Sequence, residues 1–264
     1  MKTRIMGIVN VTADSFSDGG RFLDASAAIA HAKRLRDEGA DLVDVGGEST
    51  RPGATPVALE EELRRVLPVI EALSREGIAV SVDTMKPEVM RRAIAAGAAM
   101  VNDVNGFRAP GAIEAVAPSH VGVSVMHMKG TPETMQAEPS YEDVVGEVAA
   151  FLAARARSLE AAGVAPGRIV VDPGFGFGKT REHNIELMKG LRAIAALGYP
   201  VLAGLSRKRT IGDITGRAAG ERVAGSVAAA LVAVQNGASL VRVHDVKETV
   251  DALKVWWAFK GEER

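Results

Sequence analysis

Residues 42–83, LVDVGGESTRPGATPVALEEELRRVLPVIEALSREGIAVSVD, contain the structural unit from which the rest of the chain is built. A short Val-rich run at 42–45 leads into a glycine-rich loop. Residues 59–75 then carry apolar side chains at helical spacing, and a second Val-rich run follows at 79–82. Short runs of this kind are typical of strands that are buried on both faces of a parallel sheet. The stretch therefore predicts a strand, a helix and a second parallel strand.

The same unit recurs along the whole chain. Strands are predicted at residues 5–9, 42–45, 79–82, 99–101, 121–125, 169–171, 201–203 and 240–243. Helices are predicted at residues 24–38, 59–75, 88–96, 141–162, 184–196, 222–236 and 247–259, while residues 111–118 form barely two turns. Glycines follow several of these helices where a left-handed C-terminal cap would place them, at Gly39, Gly77, Gly97, Gly163, Gly198 and Gly237.

Eight such units in 264 residues predict a single-domain α/β fold over residues 1–264, a (β/α)8 TIM barrel with eight parallel strands. A doubly wound open sheet has the same alternation and is the alternative. The longest irregular segments follow the first, second and fifth strands. In a barrel these segments lie on the face where active sites are built.

Composition excludes several classes of protein. The chain has 32 Lys and Arg against 33 Asp and Glu, a net charge of −1, which argues against nucleic-acid binding. It has no cysteine, so disulfides, thiolate metal sites and cysteine nucleophiles are excluded. We find no signal peptide and no apolar window of about 18 residues, and therefore expect no membrane partner and a cytoplasmic location.

Polar side chains follow all eight predicted strands. One group is anionic or amide-like and suits an N–H-rich heterocycle: Asp44, Asp83, Asn102 and Asp172. The other group is cationic and could hold a phosphate or diphosphate: Arg51, Lys208, Arg242 and His244. Asn10 would join the second group through Mg²⁺. The alternative is that these charges form ion pairs inside the barrel.

Two nearby motifs do not carry the function that they suggest. Gly178-Lys179-Thr180 ends like a phosphate-binding P-loop, but the first glycine of that motif is replaced by Pro173. His127 lies between two methionines and could bind a metal. A lone histidine is more often a hydrogen-bonded wall residue, which is the interpretation we prefer.

Five segments together resemble bacterial dihydropteroate synthases. They are NVTADSFSDGG at 10–20, DVGGESTRPG at 44–53, DPGFGFGK at 172–179, SRK at 206–208 and RVHD at 242–245. The resemblance implies a (β/α)8 barrel, usually a homodimer and a sulfonamide target, that acts in folate biosynthesis. Its members condense 6-hydroxymethyl-7,8-dihydropterin diphosphate with 4-aminobenzoate. The family commonly has proline where this chain has Ala13.

The resemblance also assigns roles to residues at matching positions. It implies that the pterin is bound by Asp83, Asn102, Met126, Asp172, Phe177 and Lys208. It implies that the diphosphate is bound by Thr50, Arg51, Arg242 and His244, with Mg²⁺ at Asn10. The residues implied for 4-aminobenzoate are Phe16, Thr50, Arg51, Pro52, Phe177, Ser206 and Lys208. Of these, Asp83, Asp172, Lys208 and Arg51 are the expected catalytic residues.

The family mechanism is described as dissociative: diphosphate leaves first, and the arylamine then attacks. We assign no general base, because an arylamine is already unprotonated at neutral pH. Three other functions remain open. A pterin-binding methyltransferase that passes a methyl group to a corrinoid would not need the cluster of Arg51, Arg242 and His244. The other two are an inactive pterin-binding paralogue and an unrelated phosphate-binding isomerase.

A homodimer is expected only through the resemblance. Trp256, Trp257 and Phe259 on the last helix could form a subunit contact or pack on the barrel.

Overall fold

The computed structural model describes the backbone of residues 3–11 and 21–261 and the side chains of residues 3–11 and 25–261. Within these residues the chain forms eight strands and ten α-helices. The strands are β1 Arg4–Asn10, β2 Leu42–Gly46, β3 Val80–Asp83, β4 Met100–Asp103, β5 Gly122–Met126, β6 Ile169–Asp172, β7 Leu202–Ala203 and β8 Leu240–Val243. The helices are α1 Arg21–Asp37, α2 Leu59–Arg75, α3 Pro87–Ala95, α4 Ala112–Val116, α5 Val144–Ala161, α6 Arg181–Lys189, α7 Leu191–Ala195, α8 Arg209–Thr215, α9 Val223–Gln235 and α10 Val246–Lys260.

The eight strands form one parallel sheet that closes on itself. Their order is β6-β5-β4-β3-β2-β1-β8-β7. The two ends of this series meet where Val171 forms a parallel bridge with Val201 and donates its backbone N–H to Pro200 O at 2.9 Å. The predicted (β/α)8 barrel is confirmed, and the open-sheet alternative is wrong.

Strand alternation divides the apolar residues into two layers. Outward-facing valines and isoleucines pack under the helices and form the larger core. Inward-facing side chains fill the amino-terminal half of the barrel as a separate cluster of Met6, Leu42, Met100, Leu202 and Leu240. Within the described part of the chain, apolar side chains therefore close the amino-terminal half of the barrel, and a ligand would enter from the carboxyl ends of the strands.

The glycines predicted to end helices have the backbone that this role requires. Gly39, Gly77, Gly97, Gly163, Gly198 and Gly237 all have φ between 71° and 107°. This region of φ is costly for residues that carry a Cβ. The prediction is confirmed.

Two features of the helices differ from prediction. The single helix expected at 184–196 is wrong, since Gly190 separates α6 from α7. A Cβ at Gly190 would lie 2.6 Å from Val145 Cγ2, so close contact with α5 requires glycine at this position. Helix α8 was not predicted, because seven residues are too few to show helical periodicity.

None of the helices in the described ranges is both long and apolar enough to cross a lipid bilayer.

Candidate active site

The upper half of the barrel interior is polar. The inward-facing positions above the apolar cluster carry Asp44 on β2, Asp83 on β3, Asn102 on β4, Asp172 on β6 and Arg242 on β8. The three aspartates and Asn102 are each at most 7% exposed. The structure thus brings together at one end of the barrel five residues that lie far apart in the sequence.

Arg242 joins this layer by pairing with two carboxylates. Its Nε donates to Asp44 Oδ2 at 2.6 Å, and its Nη2 donates to Asp83 Oδ2 at 2.9 Å. Asn102 Nδ2 donates to the same Asp44 oxygen at 3.0 Å. The rigid fork of a guanidinium suits two buried acceptors at once. Arg242 belongs to the predicted cationic group. It also forms ion pairs inside the barrel with Asp44 and Asp83, as the alternative interpretation predicts.

Several oxygens of this layer have no hydrogen-bond donor within the described part of the chain. They are Asp44 Oδ1, Asp83 Oδ1 and Asn102 Oδ1, with the hydroxyls of Ser81 and Ser124, which pair in register with Asp44 and Asn102. A buried acceptor without a donor costs free energy. This arrangement favours a ligand that presents several N–H groups to the barrel interior.

Burial changes the protonation of the two carboxyl groups that face the opening. It raises the pKa of Asp83 to about 7, and Asp44 adds to the rise while Arg242 opposes it. Burial also raises the pKa of Asp172 above its ordinary value, with Lys208 opposing the rise. Both groups are therefore sensitive to the charge of whatever binds beside them.

Lys208 lies against the loop that follows β6. Its Nζ donates to Phe175 O at 2.5 Å and lies 4.5 Å from the centre of the Phe177 ring. Gly176 has φ of 81°, and a Cβ there would be 3.2 Å from Lys208 Cδ. Burial lowers the pKa of Lys208 to about 8, although Asp172 opposes this change. The lysine is thus held between Phe177 and the acidic layer.

An apolar wall adjoins the polar layer. Met126 ends β5, pairs in register with Asp172, and packs with Val104, Met128 and Met135. Phe177 packs against the same cluster. A flat ring can therefore contact apolar side chains with its faces and polar groups with its edge.

Ser206 and His244 meet at the ends of β7 and β8. His244 Nδ1 lies 3.0 Å from Ser206 Oγ, which also accepts the backbone N–H of His244 at 3.1 Å. Burial, followed by the charge of Arg242, lowers the pKa of His244 to about 4. The imidazole is therefore neutral at pH 7, and not cationic as the sequence pattern suggests.

The loop after β2 carries the remaining predicted residues. Thr50 is half-buried, whereas Arg51 and Pro52 are exposed. Gly53 donates its backbone N–H to Pro132 O at 3.2 Å, which joins this loop to the one after β5. The positive charge of Arg51 contributes to the low pKa of His244, so Arg51 affects the electrostatics of the barrel opening.

Asn10 is the residue expected to hold Mg²⁺. It is half-buried at the end of β1, beside Gly46 of β2. Among the described residues, no group of three or more His, Cys, Asp or Glu side chains could hold a metal ion. Phe16 and Ala13 lie outside the described residues.

Comparison with known proteins identifies the family. The family model described as "Pterin binding enzyme" matches residues 6–244. The dihydropteroate synthase of Neisseria meningitidis serogroup B is 54% identical over 264 residues, covering 97% of this chain and 93% of that protein. This chain belongs to the dihydropteroate synthase family. It is accordingly a transferase.

Solved structures of dihydropteroate synthases match the barrel closely. The Xanthomonas albilineans dihydropteroate synthase with 4-aminobenzoic acid has a TM-score of 0.93 and 58% identity, covering 98% of this chain and 93% of that chain. A structure from the same organism in complex with 7,8-dihydropteroate has a TM-score of 0.90 and 55% identity, covering 98% and 94% of the two chains.

Two groups of interacting residues in the barrel were not predicted as functional. Lys179 is buried and contacts His127, and the sequence offers no sign that the two residues meet. Lys86 pairs with Glu48 at 2.5 Å and also with Glu62, and these contacts connect the β2 loop to α2. Sequence spacing holds no signal for either group, since the partners lie 24 to 52 residues apart in the chain.

Replacing His244 with asparagine (His244→Asn) tests the neutral imidazole. The unfolded chain binds a proton at this side chain below about pH 6.5, whereas the folded chain does so only near pH 4. Stability from this group is therefore present above pH 6.5 and is lost as the pH falls toward 4. We expect the free energy of unfolding, measured by denaturant titration, to fall less in the variant between about pH 7 and pH 5. Equal losses in both proteins would contradict the low pKa.

Proposed function

We propose that this protein condenses 6-hydroxymethyl-7,8-dihydropterin diphosphate with 4-aminobenzoate to give 7,8-dihydropteroate and diphosphate. The observation that carries the proposal is the group of buried acceptors Asp44 Oδ1, Asp83 Oδ1 and Asn102 Oδ1 inside a family-matched barrel. Related synthases whose structures contain 4-aminobenzoic acid or 7,8-dihydropteroate support the choice of substrates.

The pterin would bind in the polar layer of the barrel. Its amino-pyrimidinone edge presents N–H groups, and Asp83 and Asp172 can accept hydrogen bonds from them. The Asn102 amide and the Lys208 ammonium can donate hydrogen bonds to its ring nitrogens and carbonyl. Met126 and Phe177 would flank the ring. Asp83, Asn102, Met126 and Asp172 lie at the carboxyl ends of their strands, and Phe177 and Lys208 lie in the loops that follow β6 and β7.

The diphosphate would bind above the pterin, at the opening of the barrel. Arg51 and Arg242 supply positive charge, and Thr50 and neutral His244 supply hydrogen bonds without adding to the repulsion between cations. Arg242 would then connect the leaving group to Asp44 and Asp83 through bonds that already exist in the structure.

The residues present fit a magnesium ion that is held mainly by the substrate. Mg²⁺ usually keeps several waters and takes one or two protein ligands together with phosphate oxygens. The amide oxygen of Asn10, at the rim of the barrel, is a suitable ligand of this kind. When bound, the ion would neutralise charge on the departing diphosphate.

Bond cleavage would precede bond formation. The C–O bond of the pterin methylene breaks, and diphosphate leaves with the electron pair. The resulting cationic carbon is stabilised by the pterin and by the buried carboxylates Asp83 and Asp172. The nitrogen lone pair of 4-aminobenzoate then forms the C–N bond, and the nitrogen releases its proton to diphosphate or water.

The 4-aminobenzoate would lie between the loops at the opening. The residues proposed for it are Phe16, Thr50, Arg51, Pro52, Phe177, Ser206 and Lys208. Ser206 and Lys208 are on the segment that leads into α8, and Phe177 lies under Lys208 Nζ. Arg51, being exposed, is free of the internal pairs that hold Arg242.

Turnover with defined components tests the proposal. Purified protein with Mg²⁺, dihydropterin diphosphate and radiolabelled 4-aminobenzoate should form labelled dihydropteroate. Omission of either substrate, or removal of Mg²⁺ with a chelator, should abolish the product. Pterin binding without product would instead favour a methyltransferase or an inactive paralogue, and methyl transfer to a corrinoid would separate those two.

Two substitutions test the proposed catalytic residues. Asp172→Asn removes a carboxylate from the cationic carbon, and Lys208→Ala removes the ammonium above Phe177. Removing one preorganised electrostatic group typically lowers kcat by roughly 100-fold to 1000-fold, and we expect losses of this order. Lys254→Ala, at an exposed position of α10, serves as the control and should keep full activity. Near-normal turnover in both site variants would contradict the assignment.

We also propose that the protein is a homodimer. Ile214 on α8, Val232 on α9 and Val255 and Phe259 on α10 are each at least 44% exposed, and α9 packs against both other helices. Trp257 is buried in the core, so this residue serves barrel packing. Sedimentation equilibrium should give the mass of two chains, and Val232→Glu with Phe259→Glu should give one. A monomeric parent protein would refute the dimer.

A further inference from the structure

Lys179 is a buried lysine whose three donors are all used. The residue is 3% exposed and follows the loop at 173–178. Its Nζ lies 3.0 Å from His127 Nδ1, 3.0 Å from Gly174 O and 3.0 Å from Phe177 O. An ammonium group has three N–H donors and no acceptor, so the number of partners matches the number of donors.

The two backbone carbonyls that accept from Lys179 belong to residues that contact the candidate site, Gly174 and Phe177. Gly174, whose carbonyl Lys179 binds, donates its own N–H to Asp172 Oδ1 at 2.7 Å. Phe177, whose carbonyl is the other acceptor, places its ring 4.5 Å from Lys208 Nζ. One ammonium therefore sets two backbone positions, one beside Asp172 and the other beneath Lys208.

The loop between these positions has a backbone that few sequences can adopt. Gly174 and Gly176 have φ of 68° and 81°. A Cβ at Gly174 would come within 1.9 Å of His127 O, so the loop packs directly on the end of β5. A glycine-rich loop has high conformational freedom when nothing holds it. The contacts of Lys179 with the carbonyls of Gly174 and Phe177 limit that freedom.

Burial affects the protonation of both side chains, and the three donors of Lys179 belong to its ammonium form. Burial is the main cause, and the charge of Lys179 the second, of a His127 pKa lowered to about 3. The imidazole is therefore neutral, and its Nδ1 can accept a hydrogen bond from Lys179. Burial lowers the pKa of Lys179 to about 7, with Asp172 opposing and Lys208 adding to the change. The charged groups around the pair are Asp172, Lys208, Arg108 and Lys129.

We propose that Lys179 is a positioning residue, which fixes the loop at 173–178 so that Asp172 and Phe177 are correctly placed for the pterin. The inference rests on the proposed function of the same site. Lys179 acts through the backbone of Gly174 and Phe177 and through His127. The glycine-rich segment that ends like a P-loop thus has a different use, since its lysine holds the loop itself.

Lys179→Met tests the proposal, because methionine has similar length and no N–H donor. The affinity for 6-hydroxymethyl-7,8-dihydropterin, measured by calorimetry, should fall about 10-fold to 100-fold, since small displacements of positioning groups have effects of this size. The KM for dihydropterin diphosphate should rise similarly, while the KM for 4-aminobenzoate should change less than about 3-fold. Unchanged pterin affinity in a folded variant would overturn the proposal.

Two further variants make the test specific. Lys189→Met is the matched control, since Lys189 is an exposed lysine in the last turn of α6. It should keep the parent affinity. His127→Phe leaves Lys179 with two acceptors and should weaken pterin binding in the same direction but less, which keeps the proposal testable if Lys179→Met does not fold. Calorimetry needs no turnover, so absence of dihydropteroate would reject the proposed function without deciding the role of Lys179.

Discussion

The pairing of Arg242 with Asp44 and Asp83 is the interaction on which the rest of the site depends. Ionisable groups in the interior of a barrel are costly unless they are paired, and Arg242 lies at hydrogen-bond distance from both carboxyl groups. The guanidinium uses its fork to hold both carboxylates, and Asn102 adds a further donor to Asp44. This pairing leaves one oxygen of each carboxylate for a ligand, so the same contacts that stabilise the charges also prepare a binding surface.

The barrel decides where that surface can be. Apolar side chains fill the amino-terminal half of the interior, and helices cover the outside. Among the described residues, the polar inward positions near the strand ends therefore face the carboxyl-terminal opening, where the β2 and β6 loops border them. The β6 loop adds Phe177 and supports Lys208, and it is tied back to β5 through Lys179 and His127. The strands thus supply the polar groups that would bind a ligand, and the loop contacts hold Phe177 and Lys208 in position.

The protonation states of two site residues differ from what their residue types alone suggest. His244 belongs by sequence with the cationic residues, yet burial and Arg242 keep it neutral at pH 7. Asp83 is acidic by type, yet burial raises its pKa to about 7. Residue identity could place both at the site, because strand ends are visible in the sequence. Their protonation depends on neighbours contributed by other strands, and no linear pattern contains that information.

The eight βα units, the glycine caps and the polar residues at the strand ends can be predicted from the amino-acid sequence, because periodicity and capping are local properties. The family motifs are also visible there. The division of a helix at Gly190 could not be predicted, since its cause is a contact with Val145 of α5. Only the tertiary structure joined Arg242 to Asp44, and Lys179 to His127. Those contacts connect residues far apart in the chain, and they exist because barrel closure brings all eight strand ends to one opening.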